Sequence, residues 1–375
     1  MRKSLLGAGA VVAVLAIGCG PSVEEVRSTA GTTSSGGTGG GGAGGTSSVS
    51  VGGAGGDAVG GAGGEGGALV EARLSQGLPY CVVRHGAVDC YVPPEGGAGI
   101  PPGLWHVPGI DDAVEVVCAL EQTCVLRASG NVWCWGFNDH GQLGPAVPLL
   151  TYTPVPTELP QVNVVKLATA MHALCGIEPS GQVICWGGGP FAPIGDPSVY
   201  GTQTPIDVSG VPDAIDLAMS ADVACAVRAG GTVVCWGTHT APATVDGISD
   251  AVQVAVHQPT YDPLSPTACA VRADGTVVCW SDGAVVPVAG LSGVVQLSGG
   301  VLETYVYART IDGMVLRLAW ADADMLAVTV TPFDISDAID LAGGGTRAAC
   351  ALHADGYVAC WDESGAPTSF PPDLF

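Results

Sequence analysis

Twelve of the fourteen cysteines fall into six pairs: Cys81 with Cys90, Cys124 with Cys134, Cys175 with Cys185, Cys225 with Cys235, Cys269 with Cys279 and Cys350 with Cys360. Paired thiols can hold zinc or oxidise to a disulfide. Zinc ligands usually come as cysteines about two to four residues apart, with histidine partners close by. Here eight or nine residues separate each pair, and the seven histidines, His85, His106, His140, His172, His239, His257 and His353, are scattered. The pairs therefore read as six disulfides, with no metal and no other cofactor expected. A related stretch centred on Asp312-Gly313 aligns Tyr307 and Arg317 with the two cysteine positions. Both thiols are missing together there, as partners would be. Cys118 is left over and reads as a buried thiol. The chain has no HExxH, Walker or GxSxG motif, so no catalytic residue is assigned and no enzyme activity is expected.

The elements that position the cysteines repeat seven times, at intervals of about 45 residues, which marks a repeat architecture. Each copy opens with an apolar run such as Ala113-Val-Glu-Val-Val117, Ala214-Ile-Asp-Leu-Ala218 or Ala338-Ile-Asp-Leu-Ala342. Several of these runs alternate apolar and polar residues, the signature of a strand. A cysteine-bounded hairpin follows. A three-residue loop, Ala273-Asp274-Gly275, sets Cys269 opposite Cys279. The shorter first copy does the same for Cys81 and Cys90 with a two-residue loop, His85-Gly86. A Pro-containing extended stretch ends the copy, as in Thr153-Pro-Val-Pro156. Trp135, Trp186, Trp236, Trp280 and Trp361 each follow a second cysteine, and Tyr91 takes that place in the first copy. Successive side chains alternate across a strand, so these rings face away from the disulfides, where they would pack blade against blade. Seven copies of three or four short strands predict an all-β, seven-bladed β-propeller over 68–375.

Arg2, Lys3 and the apolar run Leu5–Ile17 read as a signal peptide, 1–18, because the run is too short to span a bilayer. Leu15-Ala-Ile-Gly-Cys19 resembles the lipobox of bacterial lipoproteins, which implies acylation of Cys19. Gly20 after it implies an outer-membrane lipoprotein, periplasmic or surface-facing. Residues 19–67 read as a flexible tether, about half Gly from Gly31 onward, with a reach of about 35–42 Å. Setting aside Arg2 and Lys3 leaves 10 of the 12 basic residues against 35 acidic ones, a formal −25. That excludes nucleic acid as a partner and leaves the lipid on Cys19 as the expected contact with membrane. A basic partner suits such a surface.

Cys134-Trp-Gly-Phe-Asn-Asp-His-Gly-Gln-Leu-Gly144, with the recurring Cys-Ala-Val-Arg and Cys-Trp-Gly, resembles repeats of the regulator of chromosome condensation family. The resemblance covers all seven copies and implies a seven-bladed propeller. The Gly-Gln-Leu-Gly signature survives in the second copy alone. Guanine-nucleotide exchange on a nuclear GTPase is not carried over to an exported chain, since fold alone does not transfer function. Exported bacterial propellers of this family include protein inhibitors of β-lactamases, which implies that the scaffold can serve extracellular protein binding; a monomer that binds a protein or an envelope polymer is expected. Carbohydrate stacking on the Trp row and an enzymatic site in the central channel are the alternatives. Three stretches outgrow the repeat and are the expected binding loops: Pro93–Gly109 with Trp105 and His106, Gly187–Tyr200 with Phe191, and His257–Thr267 with Tyr261 and Asp262. Asp112, Asp213, Asp250 and Asp337 recur before the first strand and are expected to cap that loop.

Overall fold

A computed structural model describes residues 72–75, 80–92, 103–119, 122–189, 192–237, 240–257, 267–281, 283–299, 305–320, 327–343, 348–362 and 367–370. The chain divides into two units, Met1–Ala58 and Val59–Phe375, and all described residues lie in the second. The signal segment, Cys19 and the tether lie outside them. Every regular element among the described residues is a strand. The strands form seven four-stranded antiparallel sheets, each a meander of four consecutive strands. These are the blades of a β-propeller: 72–106, 113–163, 166–207, 214–244, 251–287, 294–332 and 338–370. No strand is exchanged between blades, so the ring closes by packing blade 1 on blade 7.

The hairpins have the register that loop length dictates. Arg272 N–H donates to Thr276 O, closing the loop Ala273-Asp274-Gly275, and Gly275 takes φ 78°. In blade 1 the two-residue turn holds both His85 and Gly86 at positive φ, the twist that two-residue hairpins favour. Each cysteine pair lies directly opposite in its ladder, with Cα atoms 4.0–4.1 Å apart. That is the close approach of a non-hydrogen-bonded pair, and all six disulfides form. Cys118 is free and buried.

The disulfides and the tryptophans occupy opposite faces of a blade, so each junction joins unlike partners. Trp135 of blade 2 packs in one cluster with Cys81 and Cys90 of blade 1. Trp186 meets Cys124 and Cys134 in the same way, Trp236 meets Cys175 and Cys185, and Trp280 meets Cys225 and Cys235. Where blade 6 lacks a disulfide, Tyr307 stands in, and Trp361 packs edge-on against it at 5.6 Å. Leu318 covers Cys269 and Cys279, while Val82 and Tyr80 cover Cys350 and Cys360.

A second seam runs through the backbone. The hairpin glycine of each of blades 1–6 accepts a hydrogen bond from a residue at, or in blade 3 two positions before, the start of the next blade's inner strand. The donors are Ala113, Val164, Ala214, Ala251, Val294 and Ala338, at 2.8–3.1 Å. A Cβ on Gly231 would lie 2.5 Å from Ser249 O, so the glycine serves both the turn and the junction. At the closing junction the Arg84 guanidinium of blade 1 donates to Gly356 O of blade 7.

Candidate functional site

The meander gives the propeller two unlike faces. The inner strand of each blade starts at the hairpin face, where the cysteine hairpins turn, and ends at the loop face. The three outgrown stretches join strand ends at the loop face: 92–103, 188–201 and 257–267. Topology thus gathers their anchors on one side. Phe191, Tyr261 and Asp262 lie outside the described residues. Tyr200 is exposed and directly precedes the outer strand Gly201–Asp207.

Three expected loop residues have other places. Trp105 and His106 belong to the outer strand Gly103–His106, because the copy's fourth strand falls inside the stretch read as loop. Trp105 is half-buried and packs edge-on against Trp135 at 5.6 Å, and His106 Nδ1 pairs with Asp89 Oδ1 at 2.8 Å. His257 ends the inner strand Ala251–His257 and is fully buried, with its ring 4.1 Å from that of Trp320. Its burial withdraws it from any binding surface.

The recurring Asp residues find partners across the inner pair of strands. Asp112 and Asp213 bond the guanidinium Nε of Arg127 and Arg228, Asp250 lies 3.6 Å from Arg272, and Asp337 pairs with His353 at 2.6 Å. They tie the start of an inner strand to the end of its neighbour.

The central channel encloses a cavity of about 210 Å³ lined by the inner strands of blades 2–7, Cys118 included. Its polar side chains stitch one blade to the next. Glu115 accepts from Leu167 N–H (3.0 Å), Asp216 from Val254 N–H (2.7 Å), Gln253 from Leu297 N–H (2.7 Å) and Ser298 from Gly343 N–H (2.6 Å). Gln296 donates to Asp340 at 2.7 Å, and Lys166 Nζ lies 2.8 Å from Asp216. Inner-strand edges would otherwise leave these N–H groups unpaired, so burying Asp216 here is compensated. Among the described residues no group of three or more His, Cys, Asp or Glu is placed to hold a metal ion.

On the loop face, Asn138-Asp-His-Gly-Gln-Leu-Gly144 folds around two buried amides. Asn138 donates to Val147 O and accepts from Leu143 N–H; the Gln142 side chain accepts from His140 N–H. Gln142 O then receives Trp186 Nε1–H from blade 3 at 3.0 Å. The motif therefore acts as a junction. Beside it the rings of His140 and His172 lie 4.2 Å apart. Burial, with help from His140, lowers the pKa of His172 to about 4.

Residues 123–142, from the blade 2 hairpin into this turn, match the family model of the regulator of chromosome condensation (RCC1) repeat. The repeat is RCC1-like. The RCC1 domain-containing protein RUG3 of Arabidopsis thaliana mitochondria is 26% identical over 99 residues, 26% of this chain. The match spans about a fifth of that relative, 22% of its length. Solved structures share the fold. Human WBSCR16 matches with a TM-score of 0.56 at 16% identity, covering 73% of this chain and 84% of its own. Prp20p of Saccharomyces cerevisiae matches at 0.52 and 19%, covering 68% and 71%. PorZ, a bacterial surface component of the type-IX secretion system of Porphyromonas gingivalis, matches at 0.53 and 10%, covering 80% and 37%. At these identities the likeness is one of fold alone.

Proposed function

We propose that the chain is a binding module of the bacterial cell envelope, held to the outer membrane by lipid on Cys19. Its disulfide-stapled, RCC1-like propeller serves as a scaffold for a protein or an envelope polymer. The observation that carries this reading is the set of six disulfides, eleven of whose twelve cysteines are buried. Such bonds form and persist in oxidising compartments, which fits the export signal read from Leu5–Ile17 and the acylation read from Cys19. A closed propeller suits partner binding, and no role in catalysis is assigned to it. Stacking of carbohydrate on the Trp row is not supported, because Trp135, Trp186, Trp236, Trp280 and Trp361 are all buried between blades. GTPase exchange is not proposed. The test is metabolic labelling with a fatty-acid analogue. The parent chain should take up label and fractionate with outer membrane, and Cys19→Ser should do neither. Equal labelling of the two would refute the anchoring.

A further inference from the structure

The inner strands carry a feature that the binding module reading leaves unused. Between Ala113 and Glu115 the ladder register shifts by one residue, and the same bulge recurs between Ala214 and Asp216, Ala251 and Gln253, Val294 and Gln296, and Ala338 and Asp340. The extra residue is aliphatic in each of these five copies: Val114, Ile215, Val252, Val295 and Ile339, with Val165 at the same place in blade 3. Apart from half-buried Val114, these side chains are exposed: Val165 61%, Ile215 44%, Val252 46%, Val295 43% and Ile339 42%. They stand where the inner strands of blades 2–7 begin, on the hairpin face around the channel mouth; blade 1 contributes none, because its ladder runs unbroken from Ala72 to Ser75. Isolated exposed aliphatics are ordinary, but one at the same position in six successive blades marks an interaction surface.

The rim around that ring carries both charges, with Asp in excess over Arg. The Asp residues before the inner strands meet Arg127, Arg228, Arg272 and His353 within their own blades. The hairpin tips add exposed Asp274, Asp312 and Asp355, which accept from Thr276, Thr310 and the Tyr357 N–H. The hydrogen bonds from Thr276 hold the Asp274 carboxyl below its usual range, so it stays charged. A second copy set face to face would oppose acidic rim to acidic rim. Anionic lipid would be repelled likewise.

We infer that the hairpin face docks a basic protein segment whose aliphatic tip seats on the Val/Ile ring while its Lys and Arg side chains meet the acidic rim. The inference rests on the binding module reading and specifies its surface: the face opposite the outgrown loops.

The test uses the full chain carrying Cys19→Ser, labelled at the isoleucine δ1 methyls. Three synthetic peptides serve as probes: Lys/Leu, Lys/Ser and Glu/Leu. Vesicles of phosphatidylglycerol are the fourth. Expected is binding of the Lys/Leu peptide alone, with methyl shifts at Ile215 and Ile339 and none at Ile194, which is buried in blade 3. Raising salt from about 0.01 M to about 1 M shortens the Debye length from about 30 to about 3 Å, and affinity should fall at least tenfold. The triple variant Val165→Ser, Ile215→Ser, Val252→Ser should lose at least tenfold in affinity. Single Ile215→Ser and Ile339→Ser variants repeat the measurement if the triple variant melts early. Shifts confined to the loop face would overturn the hairpin-face assignment and leave the module reading standing. Binding of the Glu/Leu peptide or the vesicles at comparable strength, or of no probe at all, would overturn it too. The module reading itself is tested separately, by Cys19 labelling and by capture of envelope partners.

Discussion

Trp236→Ala gives the sharpest test of how the ring is held together. The indole is 2% exposed and shares a cluster with Cys175, Cys185, Ile194 and Val208 of the preceding blade. Its Nε1–H donates to Pro193 O at 2.8 Å. Removing a fully buried Trp costs about 3–5 kcal/mol through lost transfer energy and the cavity left behind. Within that figure, an orphaned Pro193 carbonyl accounts for about 1–3 kcal/mol. Trp236→Phe separates the two, because it keeps most of the apolar volume and loses only the donor. Its expected cost is about 1–3 kcal/mol. Both are measured by urea unfolding without reductant, with the slope checked so that a midpoint shift reports stability. A loss under about 1 kcal/mol for Trp236→Ala would refute Trp-on-disulfide packing as a main inter-blade contact.

Asp216→Ala leaves Lys166 and the Val254 N–H in the channel without their carboxylate, and a loss of about 3–5 kcal/mol is expected in the same assay. Asp216→Asn, which keeps an acceptor, should recover part of it. His172 takes up a proton near pH 6.5 when unfolded but only near 4 when folded. The unfolded state therefore binds more protons between these values, and stability should fall as pH drops from 6.5 toward 4. His172→Gln should flatten that slope; an unchanged slope would contradict the burial of the neutral ring. Thiol titration of the denatured, unreduced Cys19→Ser chain should find one thiol, Cys118, and Cys225→Ala with Cys235→Ala should cost about 2–3 kcal/mol, the loop-closure value for a short hairpin.

The hairpins were readable from sequence because loop length fixes register: Asp274-Gly275 and His85-Gly86 leave one alignment that pairs the cysteines. The direction of the Trp rings followed from strand alternation. The aliphatic ring did not. Strict alternation puts Val114 on the same face as Val116, yet Val116 is buried and Val114 is only half-buried, because Val114 is itself the extra residue of a one-residue bulge between Ala113 and Glu115. No composition signal marks that bulge. The partner of Asp112 was also missed, since Arg127 is fifteen residues away and meets it only across a strand pair. A signal for it did exist: Arg84, Arg127, Arg228 and Arg272, and His353 in blade 7, each stand three residues after a first cysteine. Trp105 and His106 were misplaced because a short strand, Gly103–His106, carries no alternation long enough to see.

The junctions between blades are head-to-tail: a disulfide face always meets a Trp, Tyr or aliphatic face, never its own kind. Repeated contacts of this type generate either an open spiral or a ring, and which one depends on whether the rotation per step sums to a full circle. Here seven steps must close, so an angular error at any blade accumulates and appears at the Arg84–Gly356 seam. Blade 6 could exchange its disulfide for Tyr307 and Arg317 only by keeping the spacing that Trp361 reads. The thickness of each blade is thus constrained by all the others, and the seam is where a mutant that opens the circle should first show it.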